Sequence, residues 1–230
     1  MSLRIKSFFK ERPGLYFQLI LFYLQGRPNP IHQWDDDKNF IELMRRISDY
    51  SLVDKKRCFM LYQFSKQISS LKGDIVEIGV FKGGTARLLA ESSQNKNIHL
   101  FDTFAGIPHS DPQRDIVRKG DFKDTSLESV KAFLGDFKNI YFYQGLFPET
   151  AKSLGGLKFS LAHIDVDIYK SVLDCCAFFY PRMEKGGVMI FDDYGHPCCP
   201  GAKAAVDEYF SDKAEKPCYL PTGQSIVIRL

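Results

Sequence analysis

From Asp74 onward the chain alternates short apolar runs with helical stretches, and this rhythm narrows the fold more than any other feature. Strand-like runs cover 74–81, 97–103, 140–147, 158–165 and 187–193, and helical periodicity covers 84–94, 126–136, 169–183 and 201–213. Strands separated by helices return in the same direction, so the repetition predicts a parallel sheet covered on both faces. Two last segments, "CYLP" (218–221) and "QSIVIRL" (224–230), have only a Thr-Gly turn between them and should pair antiparallel. The expected fold is α/β, seven strands ending in a hairpin. Ahead of it, 38–71 has helical spacing at Ile41, Met44, Ile47, Phe59, Tyr62, Phe64 and Ile68, and residues 1 to 34 form a Pro-punctuated extension. The expected division is therefore an N-terminal helical extension or cap, 1–71, and an α/β domain, 72–230, because 230 residues require no further domain.

The stretch "GDIVEIGVFKGGTARLLA" (73–90) is a strand, a turn and a helix start, with Glu77 in the apolar run and glycines at Gly79, Gly83 and Gly84. Glycine admits close backbone approach, the first helical turn offers free N–H groups, and a carboxylate at a strand end accepts hydrogen bonds from a ligand amine or hydroxyl. The next strand ends in "LFDTFAG", which puts Asp102 where an acid commonly holds a ribose diol. A dinucleotide site would show G-x-G-x-x-G, and this turn does not. The expected ligand is a nucleoside without a pyrophosphate.

A second constellation is acidic. Asp165 ends the fourth strand and Asp192-Asp193 ends the fifth, and adjacent parallel strands bring such ends together on the ligand-binding edge. Three carboxylates at one point repel unless a cation joins them, and an all-oxygen set suits Mg²⁺. Asp192-Asp193 alone would be an ordinary solvated strand end; Asp165 at the neighbouring end reverses that judgement. Asp167 fits a helix N-cap better than a ligand. His163 shares a strand face with Asp165 and serves equally as a core histidine or as support for the acids. His196, three residues past the acid pair, is the first choice as base, with His163 and Lys203 competing.

"VEIGVFKGG", "FDTFAGIP", "HIDVDIYKS" and "FDDYGHPCCPGAKAAVDEYF" resemble the macrocin O-methyltransferase (TylF-type) family of S-adenosylmethionine-dependent enzymes, from about Asp49 onward. The resemblance implies a Rossmann-like class I methyltransferase sheet with S-adenosyl-L-methionine and a divalent metal as cofactors. It implies a cofactor site of Glu77, Gly79, Val80 and Gly83 toward the methionine end, Asp102 at the ribose, Thr103, Phe104 and Gly106 at the nucleoside, and Gly145 and Leu146 by the adenine. Ser51, in "YSLV", stands where the family usually has a threonine in a segment that closes over the cofactor. The metal would sit on Asp165, Asp192 and Asp193, with Asp165 and His196 as catalytic residues. The implied activity is Mg²⁺-dependent methyl transfer to a hydroxyl, on a natural-product glycoside or a polysaccharide sugar.

Composition bears on the rest. The net charge is +3 with dispersed basic residues, so no nucleic-acid partner is expected. Six cysteines without a C-x-x-C pair and no signal peptide point to free thiols in the cytoplasm; a zinc site from His196, Cys198, Cys199 and Cys218 matches no common spacing, and the cysteines are assigned to packing. The apolar stretch 15–26 is too short to span a bilayer. Burial in protein is favoured for it over contact with a membrane surface, and a homo-oligomer is left open. Two other classes compete: a non-catalytic cofactor-binding protein on the same fold, against which the three acids weigh, and a nicotinamide-dependent oxidoreductase, against which the missing fingerprint weighs.

Overall fold

The computed structural model describes residues 33–230, together with Gly14 and Phe17. The apolar stretch 15–26 therefore lies, Phe17 apart, outside the described residues, and among the described residues no helix is long and apolar enough to cross a membrane. The chain divides into two compact units, Met1–Glu42 and Leu43–Leu230. In the first, a 3₁₀ turn (Gln33–Asp36) leads into the start of helix α1 (Lys38–Ile47), where the Asp37 carboxylate accepts the Phe40 N–H at 3.0 Å. The sheet, the helices from Lys55 onward and the site belong to the second unit.

The helical region expected over 38–71 is two helices with a break, α1 and α2 (Lys55–Gln67). Short polar side chains cause the break by taking backbone donors that a helix would use. The Ser51 hydroxyl accepts the Val53 N–H (3.1 Å), and Asp54 caps α2 by accepting the N–H groups of Lys56 (2.8 Å) and Arg57 (3.2 Å).

The sheet has seven strands in the order β3-β2-β1-β4-β5-β7-β6. β1 (Asp74–Ile78), β2 (Ile98–Asp102), β3 (Ile140–Gln144), β4 (Phe159–Ile164) and β5 (Met183–Phe191) are parallel. β6 (Cys218–Tyr219) and β7 (Ser225–Ile228) form the expected antiparallel hairpin, and β7 pairs with β5. β5 starts earlier than the apolar run because Gly186 and Gly187 exchange backbone hydrogen bonds with Arg229, at 2.7 and 2.8 Å. The helices are α3 (Gly84–Ser92), α4 (Leu127–Phe133), α5 (Tyr169–Phe179) and α6 (Pro200–Tyr209). Phe159, Phe179, Phe191 and Phe210 fill the core on the α5/α6 side, and Cys175 and Cys176 are buried among them, as packing.

Strand order reverses between β1 and β4, and a crevice opens at the carboxyl ends of strands at such a point. Gly79, just past β1, sets its depth. At φ +85° a Cβ there would lie 1.7 Å from the Asp165 carbonyl oxygen. Only glycine lets the two strand ends approach this closely. Gly79→Ala is expected to destabilise the protein by roughly 2–4 kcal/mol through backbone strain and the clash; urea denaturation giving wild-type stability would contradict this account.

Candidate active site

A cavity of about 540 Å³ opens at that crevice. Its wall takes Ser51 from the α1–α2 break, Gly79 and Val80 after β1, Asp102, Thr103 and Gly106 after β2, and Gly145 and Leu146 after β3. Asp165, Asp193 and His196 line it too. The structure thus brings together eleven of the residues expected from sequence (Ser51, Gly79, Val80, Asp102, Thr103, Gly106, Gly145, Leu146, Asp165, Asp193, His196). It does not bring Glu77, Gly83, Phe104 or Asp192 to the wall.

Their positions have local causes. Gly83 is the N-cap of α3 in the left-handed region (φ +89°), and its open side faces Val130, Phe133 and Leu134 rather than the cavity. Next to it, Gly84 makes room for the chain itself. A Cβ there would lie 2.6 Å from the Ser51 Cβ, and its N–H donates to the Tyr50 carbonyl at 2.9 Å. The glycine pair therefore seats the 50–51 segment on the α3 N-terminus. Asp102 holds the turn over β1: Oδ2 accepts the N–H groups of Val80 (2.7 Å) and Phe81 (2.9 Å), and Oδ1 that of Phe104 (2.7 Å). Oδ2 has both lone pairs engaged, whereas Oδ1, met otherwise only by the Thr103 hydroxyl at 3.5 Å, keeps acceptor capacity for a ligand hydroxyl.

Behind the wall runs a buried chain of charge. Glu77 Oε1 meets His163 Nδ1 at 2.9 Å, His163 Nε2 faces Asp192 Oδ1 at 3.5 Å, and Asp192 Oδ2 accepts from the Arg57 guanidinium. Glu77, His163 and Asp192 are essentially inaccessible to solvent, and Glu77 Oε2 has no hydrogen-bond partner among the described residues. Burial alone would lower the His163 pKa, but hydrogen bonds and charge from Asp192 and Glu77 overcome it and raise it to about 10. Burial likewise opposes ionisation of Asp192, yet His163, Arg57 and Gln224 hold its carboxyl below the ordinary range.

The other acids are in the opposite state. Among the described residues no side chain or N–H donates to the half-buried Asp165 carboxylate, and Asp193 uses only Oδ2, for the Asp167 N–H (3.0 Å). Burial and neighbouring carboxylates, Asp192 and Asp193 for the first and Asp167 and Asp192 for the second, push both pKa values well up. One oxygen from each of Asp165, Asp192 and Asp193 lies within 4.8 Å of the others. Asp167, expected as a helix cap, is not one. The α5 N-cap is Ile168, and the Tyr169 N–H goes instead to Asp115 Oδ1 (2.8 Å), a buried residue of the 106–125 loop. Asp167 lines the cavity in the left-handed region (φ +59°); burial, then the charge of Asp192, raises its pKa to about 6.

His196 Nδ1 accepts the Cys198 N–H at 3.3 Å, which leaves the neutral ring's own proton on Nε2. His163 is sealed behind the wall, and Lys203 is engaged by Tyr194 (3.1 Å) and Asp207. All six cysteines are free; Cys198 and Cys218 are exposed, while buried Cys199 lies beside Asp167 (Sγ to Oδ1, 3.5 Å). Sequence reasoning missed Arg57, Thr85 and Gln224. Thr85 was the legible one, because it opens the helix that follows the glycine turn.

The family's sequence profile, macrocin-O-methyltransferase (TylF), matches residues 35–217. The chain belongs to this family. It is an S-adenosylmethionine-dependent O-methyltransferase with the Rossmann-like sheet of class I enzymes. It is 26% identical to the demethyldecarbamoylnovobiocin O-methyltransferase of Streptomyces niveus over 85% of each chain. It is 28% identical to the mycinamicin III 3''-O-methyltransferase of Micromonospora griseorubida over 60% of each chain. The structure of the O-methyltransferase NovP superposes with a TM-score of 0.68 at 25% identity, covering 78% of this chain and 82% of NovP.

The His163 proton carries a pH dependence. Its folded pKa lies above the unfolded value, so its stabilisation is complete below about 6.5 and is lost as pH rises toward about 10. Denaturation in EDTA between pH 7 and 10 is expected to show wild type losing roughly 1–3 kcal/mol more than His163→Gln. Parallel profiles would contradict a buried imidazolium.

Proposed function

We propose that this enzyme methylates a hydroxyl of a sugar, on a natural-product glycoside or a polysaccharide, in the cytoplasm and with Mg²⁺ as a second cofactor. The observation that carries the cation is the convergence of three carboxylates, two of them with oxygens that no donor meets among the described residues. Asp165 without a donor, Asp193 with one oxygen spare and Asp192 alongside make an all-oxygen set whose mutual repulsion a hard divalent ion relieves. Sugar acceptors are supported by the activities of relatives such as the mycinamicin III 3''-O-methyltransferase. Residues 72–230 would supply the catalytic domain, with 1–71 as its extension.

S-adenosylmethionine supplies the electrophilic methyl group, and Mg²⁺ on Asp165, Asp192 and Asp193 supplies charge that acidifies and aligns a bound hydroxyl. The protein groups do the rest. Asp102 would accept from the ribose hydroxyls. The N–H groups at the start of α3 and the Thr85 hydroxyl, which lines the cavity, favour a carboxylate, so the methionine end belongs there. Ser51 and its neighbours, seated on Gly84, shield the cofactor from water. The hydroxyl proton would go to Nδ1 of His196, whose lone pair meets only two long contacts, the Cys198 N–H at 3.3 Å and the Cys199 thiol at 3.7 Å. Asp167, on the same wall with a pKa of about 6, is the other group able to take it near neutral pH.

Two measurements test this reading. Asp102→Ala should weaken S-adenosylhomocysteine by roughly 1–3 kcal/mol, since it removes the ribose acceptor and frees the Val80–Phe81 turn; unchanged affinity by calorimetry would remove the assignment. Asp165→Asn or Asp193→Asn should abolish methyl transfer to a vicinal-diol sugar with cofactor affinity within a few-fold of wild type, and EDTA should reproduce the loss. Full activity in excess EDTA would eliminate the metal and leave transfer by His196 or Asp167 alone.

A further inference from the structure

Gln224 lies in the turn of the C-terminal hairpin, far in sequence from every motif that marks the site, and its side chain is completely buried. Its Nε2 donates to Asp192 Oδ1 at 2.8 Å and to the Arg57 carbonyl at 3.4 Å. Its Oε1 accepts the Thr222 hydroxyl at 3.0 Å, which fixes the amide so that its N–H groups, not its oxygen, face the carboxylate. The turn is itself anchored. The Leu220 N–H donates to the Gln224 carbonyl (2.9 Å), and the Gly195 N–H, just past the acid pair, donates to the Gly223 carbonyl (2.7 Å).

Asp192 is therefore oriented from three sides. Arg57 takes Oδ2, Gln224 takes Oδ1, and His163 reaches Oδ1 only at the longer 3.5 Å. Asp165 has no such support among the described residues, and Asp193 has one backbone donor. Of the three acids, only Asp192 is held rigidly, so it is the fixed reference against which the other two close on an ion. Groups behind a ligand commonly set its direction and basicity in this way. We infer that Gln224 is a positioning residue for the cation site: its amide fixes the rotation of the Asp192 carboxylate, and through it the affinity for a hard divalent ion. The inference rests on the proposed cation reading.

The experiment uses the full-length protein with S-adenosylhomocysteine present, titrated with Mn²⁺ and read by the electron paramagnetic resonance signal of the free ion. Gln224→Met keeps the side chain's length and removes its polar atoms. It is expected to weaken Mn²⁺ binding about 10- to 100-fold, to leave S-adenosylhomocysteine affinity within two-fold, and to lose activity chiefly as a raised KM for Mg²⁺ that excess Mg²⁺ restores. Thr222→Val, which removes only the hydroxyl that orients the amide, is expected to weaken Mn²⁺ about three- to ten-fold. It also decides the matter if Gln224→Met does not fold. Mn²⁺ affinity within two-fold of wild type in a folded Gln224→Met, or in Thr222→Val if the first is unfolded, overturns the inference while leaving the cation reading intact. A parallel fall in Mn²⁺ and S-adenosylhomocysteine affinity also overturns it, because that pattern belongs to a general packing role. Absence of Mn²⁺ binding by wild type overturns both.

Discussion

The site depends on one buried ionic chain, Glu77–His163–Asp192–Arg57, which joins β1, β4, the end of β5 and α2. Removing these groups from water is costly, and the cost is met only because each charge faces an opposite one with a hydrogen bond between them. The register makes this geometry available, since Glu77 lies opposite His163 across the β1/β4 ladder. Side chains directly opposite on adjacent strands share a face, so a carboxylate and an imidazole meet without further adjustment. A positive imidazolium between two acids then allows Asp192 to stay ionised in the protein interior.

That arrangement makes the three acids unequal. Asp192 is satisfied from behind by protein donors, whereas Asp165 and Asp193 face the cavity with their pKa values pushed up by burial and by neighbouring carboxylates. A protein that wanted only a stable strand end would pair or remove such groups. Here those two acids, Asp193 with a single backbone donor, sit beside a third held by side-chain donors at the point where strand order reverses, and that is where an α/β sheet offers a ligand its crevice. The same Arg57 that neutralises Asp192 belongs to the helix capped by Asp54, one turn after the segment that lies over the cavity. Cofactor cover and acid site are thus tied through one side chain.

Much of this was legible in the sequence, and what was not has physical reasons. The βα alternation predicted the sheet and its terminal hairpin because apolar periodicity is a local property. The strand ends carrying Asp102, Asp165 and Asp192-Asp193 were legible because the carboxyl edge of a parallel sheet is where chemistry collects. Long-range partners were not. Arg57 reaches Asp192 across 135 positions, and Gln224 reaches it from a turn whose composition announces nothing beyond a turn. The glycine turn reads as room for a ligand, and one of its glycines, Gly84, instead admits Tyr50 and Ser51; a sequence shows that a backbone needs room, but not what fills it. Asp167 was assigned to a cap because a short acid before a helix usually is one, and the Asp115 side chain had taken that place from a distant loop.

The Asp115 contact also bears on how the cavity wall is held. The loop from 106 to 125 is clamped at its base, where Ile107 exchanges backbone hydrogen bonds with Asp121 and Gly120 at 2.9 Å each, and at its middle by Asp115 on the α5 N-terminus. Gly201 at the start of α6 leaves room for that carboxylate: a Cβ there would lie 2.2 Å from Asp115 Oδ1. A loop fixed at two points presents a defined wall, and Ile107, Pro108 and His109 form part of the cavity's lining. The base clamp lies within the loop itself, and the Asp115 clamp rests on the starts of α5 and α6. The acids and this part of the cavity wall are therefore held by different parts of the molecule, the first by strand ends and the second by a loop tied at its base and at Asp115.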